Sequence, residues 1–314
     1  MRLIKPNVEI IEQSDYTIDG IYKMIELAGR TCYKSEDKIT EDSAKEFVNR
    51  MIKSGHGAML EHGTVYLKVH IDTYSYLHYS GEDCDYDFDY YPSHICVNPY
   101  SRMKIVDKYA YITTNLRVLV EHDWMDDLKY ICEPTEFHEK RITVKWTTDR
   151  VTGESFLRHR VFSFARESTR YCNYTKDKFD NEVKFIIPTW VDIPEGKIAY
   201  WDGDWVKMDD LTIVKRYESD ATDIWLDSCK NSEWNYNIAI NNGWKPQQAR
   251  QVLTFSIHSP LVMTGFESDW KGFFDLRCDK AAHPDAQHLA KMLLTKFNKL
   301  NPKFFKDYYE KYCK

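Results

Sequence analysis

Two periodicities of apolar residues divide this chain into predicted helices and strands. Apolar side chains recur every three or four positions in residues 17–30 and 41–54, which predicts two helices. Apolar and polar residues alternate in residues 64–70 and 141–147, which predicts two half-buried strands. Shorter elements are predicted as well: a strand at 2–12, a helix at 148–157 and a strand at 184–188.

Helical patterns dominate the later part of the chain. Residues 209–241 are predicted to be mainly helical, Gly243 ends this helix, and Pro246 begins another one. Residues 286–300 form a clear amphipathic stripe. We therefore expect the last third of the chain to be entirely helical.

These elements predict an α+β fold in one domain, residues 1–314, with a mostly antiparallel sheet, several helices and a helical C-terminal third. An inserted excursion is predicted at about 71–139, between the two alternating strands. Its first part is rich in tyrosine and aspartate, and its later part, 114–131, is predicted to be helical. Connections of this length commonly have structure or function of their own.

The composition excludes several classes of protein. No run approaches the ~20 apolar residues that span a bilayer, and the first residues lack the apolar run of a signal peptide. We therefore expect a cytoplasmic protein with no membrane partner. The net charge of −6 argues against nucleic-acid binding. The cysteines form no Cys-x-x-Cys pair, so no metal site or disulfide framework is predicted.

Several common catalytic motifs are also missing from the sequence. It has no Gly-x-Gly-x-x-Gly fingerprint and no Walker A loop, so any phosphate must be held by side chains rather than by a glycine-rich loop. It has no Gly-x-Ser-x-Gly elbow and no His-Glu-x-x-His pair. A serine hydrolase of that type or a zinc protease is therefore not supported.

The strongest chemical signal is the run from Arg158 to Arg170, which holds four arginines and a histidine in an acidic protein. Apolar residues are interleaved with the polar ones, which indicates a half-buried segment. Guanidinium groups suit phosphate and carboxylate because they are always charged and donate several hydrogen bonds. The alternative is a surface charge network paired with distant aspartates and glutamates.

This run resembles the signature of flavin-dependent thymidylate synthases. The resemblance lies in Arg158-His159-Arg160, followed after seven residues by Ser168. Other segments that resemble the family occur in the same order: Ala28–Tyr33, Gly55–His62, Ala249–Leu253, Leu276–Arg277 and Ala286–Gln287. The resemblance implies methylation of dUMP to dTMP, with methylenetetrahydrofolate as carbon donor and FAD, reduced by NADPH, as hydride source. It also implies a homotetramer whose active sites lie between subunits.

The resemblance assigns a role to each matching residue. Its dUMP contacts are Arg158, Glu167, Ser168, Arg170, Arg250 and Arg277. Arg277 is the catalytic residue, placed to polarise the uracil. The flavin and folate contacts are His56, Glu61, Arg158, His159, Arg160 and His283. For His56 and Glu61, a turn cap or a core hydrogen bond is the alternative interpretation.

The sequence departs from the family pattern mainly on the flavin side. Ala58 replaces a threonine that often contacts FAD, and asparagines are often found where this chain has Ala165, Phe266 and Gly272. Glu167 is expected to take the acidic role that the family has at the position of Arg166. Two alternatives follow: a related transferase that makes a hydroxymethyl nucleotide, or a non-catalytic nucleotide-binding relative that uses the excursion for partner contacts.

Overall fold

The computed structural model describes residues 1–70, 100–176 and 181–314, so the tyrosine- and aspartate-rich part of the predicted excursion lies outside the described residues. The strands are β1 (Arg2–Ile4), β2 (Asn7–Ile11), β3 (Thr64–His70), β4 (Arg102–Val106), β5 (Tyr109–Asn115), β6 (Arg141–Thr147), β7 (Ser163–Arg166), β8 (Lys184–Ile186), β9 (Gly196–Trp201), β10 (Asp204–Lys207), β11 (Ile213–Arg216) and β12 (Leu261–Phe266).

The α-helices are α1 (Ile18–Tyr33), α2 (Ser43–Lys53), α3 (Gly57–Leu60), α4 (Leu116–Glu121), α5 (Arg150–Phe156), α6 (Ala221–Asn241), α7 (Pro246–Ala249), α8 (Glu267–Arg277), α9 (Pro284–Leu300) and α10 (Pro302–Cys313). Short 3₁₀ helices occur at Glu36–Lys38, Met125–Tyr130 and Arg250–Val252. Among the residues described, no helix combines the length and the apolar character needed to cross a membrane.

The strands form three sheets within the described part of the chain. The strand orders are β11-β10-β9-β1-β8, β2-β6-β12-β7 and β3-β5-β4. Every pair of neighbouring strands is antiparallel except β1 with β8. The prediction of an α+β fold with mostly antiparallel pairing is therefore confirmed.

Each sheet has its own apolar core, and the four-stranded sheet positions the candidate site. Helices α8, α9 and α10 bury their apolar residues against this sheet in the largest cluster. The five-stranded sheet packs with α6, and the three-stranded sheet packs with α1 and α2. A small cluster of Ala28, Cys32, Ala165 and Val262 joins α1 to β7 and β12.

Two helix predictions were too broad, and both errors have a physical reason. Strand β12 lies in the last third, which was expected to be entirely helical. All six of its residues are buried because both of its faces are covered: Leu261 and Met263 lie in the largest apolar cluster, and Val262 packs against α1. Such a strand shows no alternation, and periodicity cannot separate it from a buried helix. Residues 213–216 form β11 rather than part of a helix, since they pair with β10.

Two other segments are divided where the sequence predicted single elements. The strand expected at 2–12 is two strands in different sheets, because Pro6 has no backbone N–H to continue a ladder. The helix expected at 114–131 is the short α4 followed by a 3₁₀ helix, and Tyr109–Asn115 before it is a strand. The other predicted helices and strands occur near their expected bounds.

Removal of a central core side chain should destabilise the four-stranded sheet strongly. Trp270 is fully buried, with its ring 4.6 Å from that of Phe162 and 5.2 Å from that of Phe297. We expect Trp270→Ala to lower the free energy of unfolding by about 3–5 kcal/mol in denaturant titrations. The control is Trp201→Ala, because the side chain of Trp201 is 62% exposed. This variant should change the free energy of unfolding by less than about 0.5 kcal/mol. Equal losses would contradict this assignment of the core.

Candidate active site

The arginine-rich run is a turn, a short strand and a second turn, rather than one extended segment. Helix α5 begins after Asp149, whose carboxylate accepts a hydrogen bond from the backbone N–H of Thr152 at 2.8 Å. The run leaves this helix at Arg158, enters the four-residue strand β7 at Ser163, and continues to Arg170. The two ends of the run therefore lie at opposite ends of β7.

Arg166 joins β7 to helix α5. Its Nε donates to Ser259 Oγ at 2.8 Å, and its terminal nitrogens donate to Glu154 Oε1 and the carbonyl of Arg150, both at 2.9 Å. Burial, followed by the charge of Arg150, lowers the pKa of Arg166 to about 10. Arg166 therefore has a carboxylate partner and a packed environment, and it supports the site structurally.

Arg277, at the end of α8, is held by two neutral acceptors, one in the run and one in α5. Its Nε donates to His159 Nε2 at 2.9 Å, and a terminal nitrogen donates to the carbonyl of Ser155. Burial, followed by the charge of Arg277, lowers the pKa of His159 to about 4, so this ring is neutral near pH 7 and accepts the hydrogen bond. Burial and the charge of Arg158 lower the pKa of Arg277.

Arg277, Arg158 and Arg160 form a first group of cations. The last two of these arginines are exposed. Arg158 and Arg160 lie in the turn before β7, and neither has a carboxylate within 4.0 Å in the described ranges. The residues next to this group in sequence are apolar and open to solvent: Val161 is 57% exposed and Leu276 is 63% exposed. An exposed surface with cations beside apolar side chains suits a flat ligand that carries negative charge.

A second group of cations lies beyond the other end of β7. Arg170 Nε donates to Gln247 Oε1 at 3.2 Å, and a terminal nitrogen of Arg250 donates to Thr169 Oγ1 at 3.1 Å. Thr169 and Arg250 line a cleft of about 440 Å³. The backbone N–H of Ser168 donates to the carbonyl of Cys32 at 2.9 Å, which fixes this turn to the end of α1.

The two groups share one electrostatic property. Among the described residues, the salt bridges of this protein involve none of the predicted site arginines, which are Arg158, Arg160, Arg170, Arg250 and Arg277. Their hydrogen-bond partners are hydroxyl, amide, imidazole and carbonyl groups. At about 3.3 Å per residue, the strand β7 that lies between the two turns is itself roughly 13 Å long.

Glu167 does not lie with these arginines. It is 3% exposed, its carboxylate accepts from Tyr174 Oη at 2.8 Å, and burial raises its pKa. It lines a small internal cavity together with Lys34, Lys184 and His258. Glu167 therefore lines a different cavity from Arg250.

Within one chain, His56 and Glu61 contact other groups than the arginines of the run. His56 is exposed in front of α3, with Nδ1 3.5 Å from Tyr33 Oη. The carboxylate of Glu61 forms a salt bridge with Arg117, and its carbonyl accepts from a terminal nitrogen of Arg141 at 2.9 Å. The alternative interpretation of a core hydrogen bond fits Glu61 in this chain.

His283 lies in front of α9, in a third location. Its ring centre is 5.7 Å from that of Trp190, and both residues line a cavity of about 240 Å³ with Trp225 and Phe255. Its Nδ1 is 3.9 Å from a carboxylate oxygen of Asp285. This cavity contains none of the arginines of the predicted site.

Two residues with no role assigned from the sequence, the half-buried Arg141 and the buried His62, connect the site to the sheet. Arg141 donates to Ser163 Oγ at 3.2 Å, and burial lowers the pKa of Arg141 to about 10. His62 is fully buried with Nδ1 2.8 Å from Thr264 Oγ1, and burial, then the charge of Arg141, lowers its pKa to about 3. Alternation placed Arg141 on the polar side of β6, and nothing in the local pattern indicates that this side is covered.

The residues present fit a flavin only in part. The exposed guanidinium groups of Arg158 and Arg160 suit its phosphates. Among the described residues, no atom outside the adjacent backbone of α8 lies within 4 Å of the position that a Cβ of Gly272 would take, so that part of α8 is open. Phe266 is 3% exposed, with the guanidinium of Arg102 4.6 Å from its ring. At the start of α8, Ser268 is exposed, and its backbone N–H donates to Glu139 Oε1 at 3.0 Å.

The sequence profile of a family described as thymidylate synthase complementing protein matches residues 110–303, which is more than half of the chain. The protein therefore belongs to this family. The match includes the whole arginine-rich run, Arg250 and Arg277.

Individual relatives are distant. A flavin-dependent thymidylate synthase from Synechocystis sp. is 25% identical over 154 residues, which cover 48% of this chain and 62% of that protein, less than two thirds of its length. Two solved structures of the UMP/dUMP methylase PolB from Streptomyces cacaoi are also similar. The complex with 5-Br dUMP has 17% identity and a TM-score of 0.43, covering 98% of this chain and 96% of that one. The complex with 5-Br UMP has 16% identity and a TM-score of 0.44, covering 99% and 96%.

Acid should destabilise the protein partly through His62. The pKa of His62 is lowered to about 3 in the folded state, so below pH 6.5 the unfolded state binds the proton first, and stability falls as the pH falls. From pH 7 to pH 5 this one residue should cost about 2 kcal/mol. The free energy of unfolding should therefore fall by about 2 kcal/mol less between pH 7 and pH 5 in His62→Gln than in the unsubstituted protein, as measured by urea titration.

The control for this prediction is His283→Gln, because the side chain of His283 is 47% exposed. This variant should keep the pH dependence of the unmodified protein. Identical pH dependence in His62→Gln would contradict the burial of a neutral imidazole at this position.

Proposed function

We propose that this protein methylates C5 of the uracil ring of dUMP, forming dTMP. Methylenetetrahydrofolate is the carbon donor, and FAD reduced by NADPH is the hydride source. Family membership supports the proposal, and the observation that carries it is the set of site arginines whose partners are all uncharged. In a protein of net charge −6, these cations remain available to an anionic ligand.

The phosphate of dUMP is assigned to the second group of cations. Arg250 lines the 440 Å³ cleft, and Arg170 follows Thr169, which also lines it. Both arginines are exposed, and among the described residues their hydrogen-bond acceptors are the neutral Gln247 and Thr169, which leaves further N–H donors. Ser168 lies in the same turn, where its hydroxyl adds a donor. A phosphate dianion is bound well by guanidinium groups that approach it from different elements.

The uracil ring is assigned to Arg277. Ionisation at N3 places negative charge on the ring and makes C5 a better nucleophile toward the one-carbon unit, and a cation held beside the ring stabilises that charge. The carbonyl of Ser155 and the neutral His159 orient Arg277 without neutralising it. Because the guanidinium is already held, little reorganisation is needed when the charge develops.

The flavin is assigned to Arg158, His159 and Arg160, which would hold its phosphates and ring. When bound, the flavin supplies the hydride that converts the transferred methylene into a methyl group. We further propose a homotetramer with shared active sites. The proposal is supported by the separation, within one chain, of His56, Glu61 and His283 from Arg277.

The burial of Phe266, just before α8, favours a second candidate function. Phe266 is 3% exposed and lies under the guanidinium of Arg102, so this part of the flavin surface expected from the resemblance is closed. Addition of water instead of hydride to the transferred methylene would give a hydroxymethyl nucleotide and tetrahydrofolate without any reductant. The mass of the nucleotide product distinguishes the two reactions.

The proposed reaction is tested with the purified protein, dUMP, methylenetetrahydrofolate, FAD and NADPH. We expect dTMP as the product. We expect Arg277→Ala to lower kcat by roughly 100-fold or more, because the variant lacks the oriented positive charge that stabilises the uracil ring. The matched control is Arg216→Ala, an exposed arginine on β11, which should keep the rate. Nucleotide binding with no product of either mass would show that the protein is a non-catalytic relative.

The phosphate assignment is tested with a substrate that lacks the phosphate. We expect Arg250→Ala to weaken dUMP binding by roughly 10- to 100-fold, the value of a hydrogen bond to a charged group. Binding of deoxyuridine, which is weaker from the start, should be unchanged in the same variant. Calorimetry measures both ligands. Equal weakening of dUMP and deoxyuridine binding would contradict the assignment of Arg250 to the phosphate.

A further inference from the structure

The last turn of α8 is bound to the C-terminal helix α10 through one carboxylate. Asp275 Oδ2 accepts from Tyr308 Oη at 3.1 Å, and Asp275 Oδ1 accepts from Lys311 Nζ at 3.2 Å and from Tyr312 Oη at 2.7 Å. Burial alone would raise the pKa of Asp275, but the hydrogen bonds from Tyr312, Lys311 and Tyr308 outweigh it and lower the pKa. Asp275 is therefore a charged acceptor with three donors on a neighbouring helix.

Helix α10 is itself anchored independently of Asp275. Phe305 is fully buried, with its ring 5.0 Å from Phe297 on α9 and 6.0 Å from Phe274 on α8. Lys271 Nζ lies 3.8 Å from the ring centre of Phe304. Because its first turn is fixed in the core, α10 presents Tyr308 and Tyr312 to Asp275 from a rigid support.

The end of α8 needs such support. The last carbonyls of a helix have no partner within it, so the final turn opens most readily. Helix α8 ends at Arg277 and its cap is Cys278 in right-handed geometry, without a glycine cap. Phe274 and Asp275 both contact α10 from this turn, and Asp275, which provides the polar contacts, lies two positions before Arg277.

We propose that α10 positions Arg277. Helix α10 holds Asp275 by hydrogen bonds, and it thereby holds the last turn of α8, in which Arg277 lies. This inference rests on the proposed function of Arg277. The family profile matches residues 110–303, so Tyr308, Lys311 and Tyr312 lie after the matched residues. Tyr308 and Tyr312 are positioning residues, since they act through Asp275.

The test removes two donors and keeps both rings. In the full chain with Tyr308→Phe and Tyr312→Phe, we expect kcat to fall roughly tenfold with KM for dUMP within about twofold, because alignment is lost and binding is not. Amide hydrogen exchange at residues 275–279 should rise roughly tenfold. The matched control is Tyr309→Phe, on the same helix and partly buried in the same core, which should change neither quantity.

A second background separates positioning from general stability. In Arg277→Ala, the two tyrosine substitutions should cause no further loss of rate, because residues that act as a unit are not additive. Unchanged exchange at residues 275–279, or the same fold-loss of kcat with and without Arg277, would overturn the inference. If the unsubstituted protein makes no methylated or hydroxymethylated nucleotide, the proposed function fails, and exchange alone then decides whether α10 holds this turn.

Discussion

The hydrogen bonds of Arg277 to the carbonyl of Ser155 and to His159 are the contacts on which the proposed site depends. A carboxylate at either position would hold the guanidinium equally well, but it would also cancel its charge. A neutral carbonyl and an imidazole with a pKa of about 4 fix the direction of the side chain and leave the charge available. Helices α5 and α8 must pack at a fixed distance for these contacts to form, and the buried rings of Phe156 and Phe273, 5.2 Å apart, set that distance.

The sequence predicted the elements whose two sides differ. Helices α1 and α2 and strand β6 follow their apolar patterns, since periodicity reports a one-sided environment. Strand β3 occurs at its predicted bounds, but it is not half-buried as predicted, because Thr64 and Tyr66 on its polar side are buried as well. Strand β12 was missed because both of its sides are buried, and residues 2–12 were joined because an apolar pattern does not show which sheet a strand enters. Periodicity is thus informative about a residue's immediate surroundings and silent about its distant partners.

The same limit applies to the candidate site. The sequence identified the arginines of the run, Arg250 and Arg277, because their residue types and spacing are specific. It did not separate Arg166, which supports α5, from the arginines without a carboxylate partner, nor did it show that Glu167 is bonded to Tyr174. These distinctions arise from contacts between residues far apart in sequence, such as Arg166 with Ser259.

Strand β7 gives the interval between Arg160 and Ser168 a structural meaning. Its four residues pair with β12, from Ser163 opposite Thr264 to Arg166 opposite Leu261. The interval therefore contains a strand in a fixed register and is not a flexible connection. One inserted residue would either produce a bulge or exchange the inward and outward positions, which would turn Arg166 away from Ser259. Evolution can therefore vary the side chains along this segment far more freely than it can vary their number.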